Sequence, residues 1–180
     1  MEILKSLGMM YYKVMDTPMA LNLKLLSDAS SELVDSMMYR QMIGSLMYLT
    51  NTRPDICFVV NTLSQFLPDP IHVHLIAAKH IIRYLKGTID YGIKYKVNQK
   101  IKLQSYVDLD WAGSAIDRKS TLGCYFSMGL RVISWFRKKK SCMALSTVEA
   151  EYVTACSASC EVVWLRKLLS NLVDLQLEAT

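Results

Sequence analysis

The chain has 180 residues, a formal charge of +5, 52% hydrophobic and 21% charged residues. That balance excludes wholesale disorder, and the length suits one ordinary domain or two small ones. The mild positive charge permits a nucleic-acid partner without requiring one, so the placement of the charges matters more than their sum.

Five cysteines, an odd number without a Cys-x-x-Cys pair, indicate neither a disulfide framework nor a zinc finger. Cys156 and Cys160 stand one helical turn apart and are read as small buried apolar residues rather than ligands. No apolar run approaches the ~18 residues of a membrane span, and the first residues show no charged leader followed by an apolar run. An intracellular, reducing compartment and no membrane partner are expected. Eleven methionines suit an irregular core or adaptable surfaces.

Residues 1 to 34 are the least regular. Ile3 to Met9 reads as a short helix stopped by Gly8, and Thr17-Pro18 forces extended geometry. Ser27 to Glu32 is polar loop material. From Asp35, a candidate N-cap, Met38, Met42, Leu46 and Leu49 recur at helical steps. Gly44 interrupts this pattern at about 1 kcal/mol against Ala, and close helix packing is the expected compensation.

A second helix starts at Thr52-Arg53-Pro54-Asp55, where Pro suits the first turn and Asp the positive helix end. Ile56, Val59, Val60 and Leu63 form its buried face, and Pro68 and Pro70 end it. A third helix runs from about Ile71 to Lys86, ended by Gly87. Its Lys79, Arg83 and Lys86 fall at i, i+4 and i+7 and form one basic stripe. Such a stripe is either a solvated face or a phosphate contact. His72, His74 and His80 do not make the Glu-bracketed zinc motif, and His74 reads as a packing or capping residue.

The second half is strand-like. Gly92 to Tyr95 alternates, Val97 to Lys100 turns, and Leu103 to Asp108 alternates again. Leu103, Ser105 and Val107 share one face; Gln104, Tyr106 and Asp108 share the other. Thr121 to Met128 and Val132 to Phe136 complete a three-stranded antiparallel sheet through a turn at Gly129. Arg137, Lys138, Lys139 and Lys140 form a basic cluster, either a phosphate contact or a charged strand end that limits aggregation. Ser146 or Thr147 caps the last helical region, with Glu149 or Glu151 in its first turn. The fold class is therefore α+β. Acids from a strand end and a helix suit hard divalent cations such as Mg²⁺, two of which can clamp a phosphodiester. Asp108 taken alone reads as a solvated strand terminus before it reads as a catalytic acid.

Three motifs occur in order: Tyr106-Val107-Asp108-Leu109-Asp110-Trp111-Ala112-Gly113, Asp117 to Gly123, and Ala144 to Tyr152. They resemble the "YSDADWAG", "DRKSTSG" and "ALSSTEAEY" elements of copia-type retrotransposon Pol polyproteins, where the ribonuclease H domain begins. Tyr39 to Leu46, Thr52 to Ile56, Ala77 to Thr88 and Trp164 to Leu169 resemble further elements of the family. The resemblance implies a mostly helical end of the reverse transcriptase region over 1–100. It implies an incomplete ribonuclease H-like domain over 101–180, a truncated three-stranded antiparallel sheet with C-terminal helices.

It also implies Asp108 and Glu151 as catalytic, Mg²⁺-holding acids, with an RNA–DNA hybrid as partner. Asp110 and Glu149 match neighbouring motif acids that are not ligands. The family's other two acids lie in a "DNxSA" element and near a later His, and neither pattern occurs in this sequence, nor does the polymerase "YVDD". With two acids the chain alone is expected to hold Mg²⁺ weakly and to have little or no nuclease activity. The strand bearing Asp108 is expected to stand at a sheet edge. The alternatives are a non-enzymatic nucleic-acid-binding remnant using Lys79, Arg83, Lys86 and Arg137 to Lys140, and a decayed reading frame without activity.

Overall fold

The computed structural model describes residues 4–5, 7–20, 25, 32–95, 102–111, 119–129, 131–140 and 143–173. Ala112, Gly113, Asp117, Arg118, the turn at Val97 to Lys100 and the loop at Ser27 to Ser31 lie outside them. The chain divides into two units, Met1–Gly92 and Ile93–Thr180. Each has its own apolar core.

In the first unit α1 spans Ser36–Leu49, a 3-10 turn Pro54–Ile56 leads into α2 at Cys57–Ser64, and α3 spans His72–Gly87. Asp35 caps α1: its carboxylate accepts from the N–H groups of Met37 and Met38 at 2.9 and 3.4 Å. Tyr39, Met42, Ile43 and Leu46 line one face of α1 and are buried. They meet Ile56, Val60 and Leu63 of the second element and Ala78, Ile81 and Ile82 of α3. Each such Leu or Ile contributes roughly 1.5–3 kcal/mol by leaving water. The Tyr39 hydroxyl donates to the Leu63 carbonyl at 2.9 Å, so this buried phenol is paired; burial raises its pKa.

Gly44 does not serve close packing. It is exposed, and a Cβ there would meet nothing within 4 Å. Gly44→Ala is therefore expected to stabilise the chain by about 0.5–1 kcal/mol through helix propensity alone, read as a raised urea midpoint with unchanged slope. The glycine that does allow a close approach is Gly87, where a Cβ would stand 3.3 Å from the Val14 side chain. At the other end of the unit, Gly8 turns the chain at φ +64°, with Met9 N–H bonded to the Leu4 carbonyl at 2.9 Å.

His74 caps α3 from within. Its Nδ1 accepts from Ile71 N–H at 3.2 Å, so Nε2 carries the proton and donates to the Leu25 carbonyl at 2.9 Å. The ring stacks on Phe66 at 3.9 Å and is 2% exposed. Burial lowers its pKa, against a smaller opposing pull from the Leu25 carbonyl. The neutral ring is thus favoured on folding. Its contribution is full above the unfolded value of about 6.5 and is lost as pH falls through the lower folded value. Unfolding free energy is expected to drop on acidification below about pH 6.5, and His74→Gln to lose that part of the slope.

In the second unit β1 is Leu103–Asp110, β2 Thr121–Met128, β3 Arg131–Lys139 and α4 Thr147–Val173. The sheet is antiparallel in the order β1-β2-β3, so β1 is an edge strand among the described residues. Gly129, at φ +65°, makes the β2–β3 turn. A bulge opposite Phe126/Ser127 leaves Ile133 as the extra residue between Val132, which pairs with Ser127, and Ser134, which pairs with Phe126. Leu103, Leu122, Cys124 and Phe126 form the inner face and pack with Ala158 and Leu165 of α4.

Three expectations change here. Gly92 to Tyr95 is not a strand: alternation over four residues half-buries one Ile and pairs no backbone, and Tyr95 is held instead by its hydroxyl, which donates to the Val132 carbonyl at 2.7 Å. The third strand runs on to Lys139, carrying most of the basic cluster into the sheet. Cys156 and Cys160 are exposed on α4, not buried, because the helix turns Ala150, Thr154, Ala158 and Leu165 inward. Among the described residues no helix is long and apolar enough to cross a membrane.

Candidate nucleic-acid and metal site

Strand parity places the acids. Leu103 is buried against the helix, so Gln104, Tyr106, Asp108 and Asp110 belong to the opposite, outer face. Asp108 is exposed and pairs with Gly123 of β2, which pairs in turn with Arg137 of β3. The next row is Asp110, Thr121 and Lys139. Gly123 has no side chain, so the ground between Asp108 and Arg137 stays clear. Across it Arg137 meets Asp110 at 3.7 Å, a half-exposed pair worth well under 1 kcal/mol.

α4 starts over the inner face. Ser146 Oγ accepts from Glu149 N–H at 3.1 Å, and the Glu149 carboxylate accepts from Leu145 N–H at 2.7 Å. Glu149 is thus a capping acid. Glu151 is exposed, about 100° round the helix from buried Ala150. Beneath this end lies a cleft lined by Leu109, Ser120, Lys140, Ala144, Glu149, Ala150 and Val153.

Asp108 lies on β1 and Glu151 in the opening turns of α4, and both are exposed. Among the described residues no three His, Cys, Asp or Glu side chains gather closely enough to hold a metal ion. Hard cations need several convergent oxygens, so these residues do not by themselves fit a Mg²⁺ site.

The candidate cations are dispersed. The β3 pleat sends Arg137 and Lys139 outward and Lys138 to the other side. Lys140 Nζ donates to Ser157 Oγ at 2.9 Å. In the first unit, Arg83 Nε donates to the Lys13 carbonyl at 2.6 Å and Lys86 Nζ to the Tyr12 carbonyl at 2.9 Å. These bonds strap the 12–17 segment along α3, and Met15 N–H completes the strap on the Arg83 carbonyl at 3.4 Å. Lys79 is half-buried on the same helix.

Two arrangements were missed from sequence. Arg53 is 8% exposed and forks onto Asp55 at 2.7 and 3.0 Å. It also donates to the Thr88 carbonyl and hydroxyl at 2.9 and 2.7 Å, while Tyr84 OH donates to Asp55 at 2.8 Å. A signal existed: a cation beside the positive end of a helix is the wrong sign unless something else holds it. The second is the cross-strand row Tyr106, Tyr125 and Trp135 on the outer face, visible only once three strands share a register.

No family model and no solved structure matches the chain. Curated proteins do. The Pol polyprotein of transposon RE1 from Arabidopsis thaliana is 41% identical over 172 residues, 96% of this chain and 12% of the relative. That of transposon TNT 1-94 from Nicotiana tabacum is 37% identical over 178 residues, 95% of this chain and 13% of the relative. The uncharacterized mitochondrial protein AtMg00810 of A. thaliana is 36% identical over 163 residues, 91% of this chain and 68% of the relative. The chain belongs to the copia-type retrotransposon Pol polyprotein family. It spans only about an eighth of the Pol polyproteins it matches, but two thirds of the mitochondrial relative.

Proposed function

We propose that this chain is the Pol segment joining the end of a reverse transcriptase region, residues 1–100, to the opening of a ribonuclease H-like domain, residues 101–180. The observation that supports it is the element order: three antiparallel strands and then a long helix, with Asp108 near the end of the first strand and Glu151 in the opening turns of the helix. Asp108 and Glu151 are the acids the family resemblance assigns to Mg²⁺ and to hydrolysis of RNA in an RNA–DNA hybrid. Two acids alone supply fewer oxygens than a hard cation needs, and among the described residues no group of three His, Cys, Asp or Glu side chains gathers to hold one. The chain by itself is accordingly read as inactive.

A Mg²⁺-dependent cleavage assay on a labelled RNA–DNA hybrid tests this. No cleavage above background is expected. Cleavage that Asp108→Asn abolishes would overturn the reading of an incomplete site.

A second reading, non-enzymatic contact with nucleic acid, is favoured by Arg137 and Lys139 sharing one sheet face beside exposed aromatic rings. Its mark is affinity that falls steeply with salt and is indifferent to Asp108→Asn.

A further inference from the structure

The outer face of the sheet has no described helix over it, yet it carries three aromatic side chains in a single row. Tyr106 faces Tyr125, and Tyr125 faces Trp135, one from each strand. The two tyrosine rings pack edge-on at 5.8 Å. Tyr106 keeps 56% and Tyr125 38% of its surface exposed, and Trp135 is half-buried. Neighbouring strands lie roughly 4.8 Å apart, so the row is about 10 Å of ring surface laid across the sheet.

Along β3 the same face continues with Arg137 and Lys139, roughly 7 and 14 Å from Trp135 at about 3.4 Å per residue. Along β1 it continues with Asp108 and Asp110. One flank of the face carries cations and the other acids, Arg137 and Asp110 pair across it at 3.7 Å, and Gly123 keeps the middle flat. That polarity has a direction: a polyanion would be drawn to β3 and repelled from β1, with whatever it carries inward lying over the aromatic row.

We propose that this face binds single-stranded nucleic acid, with bases stacked on Tyr106, Tyr125 and Trp135 and phosphates running beside Arg137 and Lys139. The proposal rests on the second reading above, contact with nucleic acid, and names its surface and mode. Stacking suits any base, because each presents a π-face, and the cations add the backbone attraction. A duplex, whose bases are already stacked on one another, cannot use the row in this way.

The test is fluorescence anisotropy of a labelled oligo(dT) with the full chain in EDTA, so that no metal chemistry enters. Binding that weakens with salt is expected, with a self-annealed duplex of equal length bound more weakly. Tyr106→Leu and Tyr125→Leu keep apolar cover and are each expected to weaken binding about tenfold, while Tyr106→Phe and Tyr125→Phe keep the ring and hold the affinity. Absence of binding, or affinity unchanged in both leucine variants with folding intact, would overturn the proposal. So would a duplex bound as tightly as the single strand. Asp108→Asn removes a negative charge from the repelling flank and is expected to hold or tighten binding. Failure here and failure of the hydrolysis reading are therefore separate results.

Discussion

Replacing Arg53 by Ala is expected to cost about 2–4 kcal/mol of stability in the helical unit, read as a lowered urea midpoint by far-UV circular dichroism. The guanidinium makes four hydrogen bonds, two to Asp55 and two to Thr88. It also lies 5.6 Å from the Tyr84 ring and 5.9 Å from that of Tyr91. Removing it leaves a carboxylate and a carbonyl facing a void. The expected cost sits low in the range for a broken buried pair, because the Asp55 side chain retains 34% exposure and can recruit water.

Arg53→Lys is expected to recover less than half, since an ammonium cannot fork onto a carboxylate and reach Thr88 at once. The pair is legible in its titration too. Burial pushes the Asp55 carboxyl up, but hydrogen bonds from Arg53 and Tyr84 outweigh it and hold the pKa below the usual value. Its contribution is therefore present above about pH 3.9 and lost as pH falls through the lower folded value.

Phe126→Ala is expected to cost about 3–5 kcal/mol in the sheet unit. Phe126 is 0% exposed at the centre of the inner face, tilted against Phe136 at 6.2 Å and enclosed by the Leu103, Leu122, Cys124, Ala158 and Leu165 cluster. Few residues make up that cluster, so a cavity at its centre has little to collapse onto it. All three tryptophans, Trp111, Trp135 and Trp164, belong to residues 93–180. Tryptophan fluorescence during urea titration therefore reports this loss directly.

Much of the fold was readable because local chemistry and global packing agree. Asp35 caps α1, Met42 and Leu46 of α1 and Val59, Val60 and Leu63 of α2 are buried as their helical steps require while Met38 and Leu49 are only partly so, and alternation from Leu103 to Asp108 gives the two faces. The failures have a common cause in partners distant in sequence. Gly44 was given a packing role because a glycine in a helix costs stability, but nothing approaches it. The stripe of Lys79, Arg83 and Lys86 reads as either a solvated face or a phosphate contact, and no local pattern shows that Arg83 and Lys86 also donate to carbonyls some seventy residues away. Cys156 and Cys160 sit on a helix whose inward face is decided by Ala150, Thr154, Ala158 and Leu165, a stripe narrower than its apolar content suggests.

At the candidate site, the motifs located Asp108 and Glu151 but carry no information on which side of β1 each projects. The pleat decides it for Asp108, through Leu103 and the register with β2.

Mn²⁺, a paramagnetic stand-in for Mg²⁺, tests through the NMR signals of Asp108 and Glu151 whether these two acids make a metal site by themselves. Weak, unsaturating broadening is expected, with the two residues responding independently and Asp108→Asn leaving the response of Glu151 as it was. A single saturable site broadening both signals at the same low Mn²⁺ concentration, and abolished by either substitution, would contradict it.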